Sequence, residues 1–156
     1  MTETDHPWMV DAKWRGIDLT RGYLTRDAAQ VATCLDGLDA ERLRLVLTLL
    51  GLYYDDLLGE LGEPPMKVSD LNTVGALGPA EIEFATTTAV RRIADGEVGF
   101  AEAMADLGLE GRIHMIAICT VVMLMDALGE AGAVAHLGRE AAACVRQGYP
   151  RPYTLT

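Results

Sequence analysis

Residues 112–129, "RIHMIAICTVVMLMDALG", make an almost unbroken apolar run in a chain that is otherwise acidic, and how they are read decides the fold. A membrane span needs about 20 predominantly apolar residues. Here the uncharged run is interrupted by His114 at one end and by Asp126 at the other, which leaves it too short and too polar at its ends. An amphipathic surface helix fits no better, because the face that would hold Arg112 and Asp126 also holds Met115, Cys119 and Met123. A helix that is apolar on every side is normally surrounded by other elements. The spacing therefore predicts a central helix, about 109–128, either enclosed by its own chain or packed between that chain and a second subunit.

Working outward, the segment 40–61 gives the clearest amphipathic pattern. Leu43, Val46, Leu47, Leu50, Tyr53, Tyr54, Leu57, Leu58 and Leu61 share one broad sector, with Arg44, Thr48, Asp55 and Gly59 opposite. Leu45, Leu49 and Leu52 widen the stripe, which implies a second contact surface on this helix. Thr25 is placed to cap an earlier helix running to about 38, and Asp39 to cap the helix 40–61. Breakers from Gly62 to Pro79 suggest a long loop over 62–78, relieved by a helical turn within "VSDLNTVGAL". Pro79 opens a further helix to about 95, with Glu81 and Glu83 in its first turn and Ile82, Ala85, Ala89, Val90 and Ile93 inward. Helices follow at about 99–107 and, after Gly129, at about 130–147, the last with Ala133, Val134, Leu137, Ala141, Cys144 and Val145 inward. Residues 1–23 show no sustained period and read as an irregular N-terminal arm, and 149–156 as a C-terminal tail. No segment alternates like a strand. The expected architecture is all-α, one domain over 24–148, an irregular bundle of five or six helices.

Composition narrows the function classes. At 156 residues and 50% hydrophobic, one core is expected, since chains of this size bury roughly 70% of their unfolded surface. A formal net charge of -10 repels phosphate backbones and anionic headgroups, so neither nucleic acid nor a membrane is an expected partner. Cys34, Cys119 and Cys144 are widely spaced in apolar helical patterns and read as free core thiols. With no apolar run behind a basic start in "MTETDHPWMV", a cytoplasmic location is expected.

No catalytic motif stands out. The sole serine, Ser69, is not in G-x-S-x-G, and neither C-x-x-C nor a phosphate-binding glycine loop occurs. The expected helices carry no Glu-x-x-His of the di-iron kind, so no metal or cofactor is expected. His136 and Glu140, four residues apart, read as an exposed helical pair, and His114 as a hydrogen-bonded core histidine. The leading expectation is a non-catalytic protein acting through a protein partner or through itself as a homodimer, with Trp8, Trp14, Tyr53 and Tyr54 as contact anchors. Its alternative is a small-molecule binding domain, with an apolar pocket lined by Met115, Met123, Met125 and aromatic rings and with His114 as polar handle.

Overall fold

The computed structural model describes residues 7–62 and 66–155, so Pro64 and Pro65 of the breaker-rich segment lie outside the described residues. Among the described residues seven helices form, not the five or six expected: α1 Pro7–Leu24, α2 Ala28–Thr33, α3 Ala40–Leu61, α4 Val68–Gly75, α5 Ala80–Ala94, α6 Phe100–Ala105 and α7 Leu109–Arg146. The fold is all-α, with no strand among the described residues.

The central stretch is enclosed as its pattern requires. Every residue from Ile113 to Leu124 is buried, because α1, α3, α4 and α5 all pack against α7. Each large side chain buried there contributes roughly 2 kcal/mol of transfer free energy. This helix is the one described element long and apolar enough to cross a membrane, and 56% of its apolar window is buried inside this chain. At Gly129 the backbone leaves helical geometry, with φ 73° and ψ 171°, so α7 is two helical halves joined at a glycine. Beyond the break only one side is covered, and Ala133, Leu137 and Cys144 are buried there. Val134 and Val145, expected inward, are 47% and 57% exposed, since α1 and α3 cover a narrower stripe of this half.

The irregular arm expected over 1–23 is corrected from Pro7 onward, where α1 is a core helix that packs on α2, α3, α4 and α7. It lacks an apolar period because it is buried on most sides and carries Asp11, Asp18 and Thr20 into the interior. Its glycines are contact points rather than breaks: a Cβ on Gly22 would stand 3.1 Å from Val31 Cγ2. Thr25 does not cap α2, because its hydroxyl donates back to the Arg21 carbonyl at 2.9 Å. Asp27 supplies that cap through Gln30 N–H, and α2 ends at Thr33, well short of residue 38. Asp39 caps α3 as its position suggests, accepting from Arg42 N–H at 2.9 Å.

The segment expected as a loop over 62–78 contains α4, which lies on α5 and α7. Pro79 is the residue before α5 rather than its first helical residue. The tail after 148 is not loose either. Trp14 Nε1 donates to the Tyr149 carbonyl at 2.8 Å, and Arg151 forms two parallel bonds to the buried Asp18 carboxylate, at 2.8 and 2.9 Å.

Candidate ligand cavity

Helix α1 ends in a Schellman arrangement. The Asp27 N–H reaches the Gly22 carbonyl at 2.9 Å and the Arg26 N–H reaches the Tyr23 carbonyl at 3.4 Å. This geometry puts Arg26 at φ +60°, where an L side chain costs about 1 kcal/mol relative to glycine. The other positive-φ positions among the described residues, 37, 62, 96, 129 and 148, are all glycine. Arg26 is the exception, and its side chain lies at the rim of a cavity.

That cavity, about 410 Å³, opens between the end of α1, helix α4 and the first half of α7. Its floor is apolar, made by Tyr23, Leu24 and Val122, all buried. Val74, Leu77 and Met125, half-buried, form the walls. The rim is polar: Arg26 from the end of α1, Asp70 and Thr73 from α4, and Asp126 from α7, each exposed. None of the three charged groups forms an ion pair among the described residues. The volume falls within the range of about 300–1,000 Å³ typical of ligand pockets.

Behind the floor stands His114. Its Nδ1 is 2.6 Å from the Tyr23 hydroxyl, with the two rings edge to face at 5.7 Å. Burial pushes the imidazole down to about 4 and raises the phenol above its ordinary value, so both are neutral near pH 7. The phenol, with no other acceptor among the described residues, is assigned as donor to an unprotonated Nδ1. The pair is closed on one more side, where a Cβ at Gly78 would meet the Tyr23 oxygen at 2.9 Å.

The sequence-derived candidates are placed as follows. His114 is 3% exposed and touches the cavity only through Tyr23. Met115 and Met123 are core residues outside the lining of this cavity, and of the methionines on this helix only Met125 lines the space. Both were expected at a pocket; a helix buried on every side has room for only part of its surface at any one cavity. Among the contact anchors, Trp14 and Tyr54 are buried and offer no outer face. Tyr53 is half-buried with its hydroxyl 2.7 Å from His136 Nδ1, so His136 belongs to a packed pair rather than to the exposed flank expected of it. Trp8 alone remains open, at 39% exposure, with the Arg42 guanidinium 6.0 Å from its ring. Arg26, Asp70 and Thr73 were missed by sequence reasoning, because no local pattern marks a positive φ at an arginine or a rim assembled from three helices.

Other hollows fit a ligand less well. A groove of about 240 Å³ between α1, α3 and the second half of α7, smaller than the usual ligand pocket, is lined by Leu49, Leu52 and Tyr53 together with Lys13, Asp56 and Glu140, and it takes up Leu49 and Leu52 of the second surface expected on α3. A hollow of about 430 Å³ between Pro7 and the Tyr149–Pro152 strap has no charged side chain in its lining. Among the described residues no three His, Cys, Asp or Glu side chains converge on a metal position. The thiols of Cys34 and Cys119 are both pushed up to about 12, first by burial, and such thiols are poor nucleophiles at neutral pH.

No protein-family model, no curated protein and no solved structure matches this chain.

Proposed function

We propose that the protein is a non-catalytic, small-molecule binding domain whose site is the cavity between α1, α4 and α7. The observation that carries this reading is an apolar hollow of ligand size, ringed by charges that form no ion pair among the described residues. Binding rather than catalysis is favoured by the chemistry of the titratable pair behind it. A general base works best with a pKa near the operating pH, whereas burial takes His114 well below and Tyr23 well above neutrality. The protein-contact reading loses support because two of its four aromatic anchors, Trp14 and Tyr54, are spent on the core.

The test uses a neutral apolar fluorophore, N-phenyl-1-naphthylamine. Wild-type protein should bind it saturably at one site, and Val74→Trp, which places an indole in the cavity wall, should weaken binding at least tenfold. Leu52→Trp, in the groove beside α3, should leave binding unchanged. If the effects are reversed, or no saturable site is found, the cavity is not the binding site.

A further inference from the structure

The rim has a composition that an apolar ligand alone would not need. It sets one guanidinium, Arg26, and two carboxylates, Asp70 and Asp126, around a single apolar opening, and these charges do not pair with one another. An anionic ligand would satisfy Arg26 but face two carboxylates in a protein of net charge -10. A cationic ligand would satisfy the carboxylates but face the guanidinium. A ligand bearing both charges close together at one end meets all three groups.

We infer that the cavity is specific for zwitterions with an apolar body, the chemistry of an α-amino acid with a large hydrophobic side chain. The carboxylate faces Arg26, the ammonium faces Asp70 and Asp126, and the side chain enters the space between Val74, Leu77 and Met125. Arg26 carries the strongest part of the argument. At φ +60° a glycine would be favoured, as at each other positive-φ position described, and the side chain that stands there instead forms no ion pair or hydrogen bond among the described residues. Backbone strain retained at a cavity rim is what a binding residue leaves behind. Arginine also offers the planar pair of donors that matches a carboxylate.

This inference rests on the proposed binding cavity, and the experiment separates the two. Three probes share one apolar body: L-2-naphthylalanine carries both charges, 2-(2-naphthyl)ethylamine only the ammonium, and 3-(2-naphthyl)propionate only the carboxylate. Each is scored by displacement of N-phenyl-1-naphthylamine from wild-type protein. The zwitterion should compete at least tenfold better than either single-charge analogue. Arg26→Gly should bring naphthylalanine down to the level of the amine, leave the amine no weaker, and raise the melting temperature. The Asp70→Asn/Asp126→Asn double variant should bring it down to the level of the propionate. Equal competition by all three probes, or a single-charge analogue as good as the zwitterion, overturns the inference while leaving the cavity standing. Failure of the fluorophore itself to bind in the cavity removes both.

Discussion

At the scale of single residues, His114 shows how burial turns a titratable side chain into a structural one. Its imidazole sits between Tyr23 and the core of α7, and protonation there would place a charge in an apolar interior. Because burial depresses its folded-state pKa to about 4 from an unfolded value near 6.5, the unfolded chain binds the proton first as pH falls. The stability tied to neutral His114 is complete above pH 6.5 and is lost between 6.5 and about 4, to a total on the order of 3 kcal/mol. Urea unfolding across that window should show wild-type protein losing stability more steeply than His114→Gln. Parallel curves for the two proteins would mean that the imidazole titrates in the fold as it does in the unfolded chain.

Among the elements, α7 depends most on one position. The break at Gly129 lets its first half stay enclosed by four helices while its second half lies along α1 and α3. At φ 73° and ψ 171° the backbone is in a region open essentially to glycine alone. Gly129→Ala should therefore cost about 1–3 kcal/mol in urea unfolding, although no atom near the residue would clash with the new methyl. An unchanged midpoint would show that α7 can run through 129 as a regular helix. Helix α4 matters in another way. It covers the first half of α7 and supplies Asp70, Thr73 and Val74 to the cavity, so the same short element closes the core and shapes the candidate site.

Over the whole molecule, α1 and the segment that follows α7 are tied together by a buried charge. Asp18, in the middle of α1, is 0% exposed and accepts both bonds of the Arg151 fork, with the Tyr153 hydroxyl adding a third. Arg151 also stacks on Trp14 at 4.6 Å, and the Arg15 guanidinium lies 3.9 Å over the Tyr153 ring. Removing one partner of a buried pair leaves an uncompensated charge, which costs about 3–5 kcal/mol. Arg151→Ala should fall near the lower end, since Arg151 is 27% exposed and water can reach the vacated position. Replacing both partners, Asp18→Leu with Arg151→Met, should recover much of that loss, because the desolvation of the carboxylate disappears with it. Urea midpoints for the single and double variants check the claim, and a double variant as unstable as Arg151→Ala would refute it.

What the sequence determined by itself was whatever depends on periodicity and on caps a few residues away. The helix at 112–129 with its enclosed stretch 113–124, the amphipathic α3 with its Asp39 cap, the stop at Gly129 and the all-α class were legible, because helix burial and capping leave patterns over three or four residues. The sequence left α1 hidden, since a helix packed on several sides has no apolar stripe and its buried Asp11 and Asp18 look like solvent residues until Arg42 and Arg151 arrive. His114 was readable as a core residue, but its partner Tyr23 lies 91 positions away. Only the tertiary structure brought the end of α1, α4 and α7 around one cavity, and only there does an arginine at a position suited to glycine acquire a meaning. Contacts between residues far apart in sequence are set by packing geometry, and no local spacing encodes them.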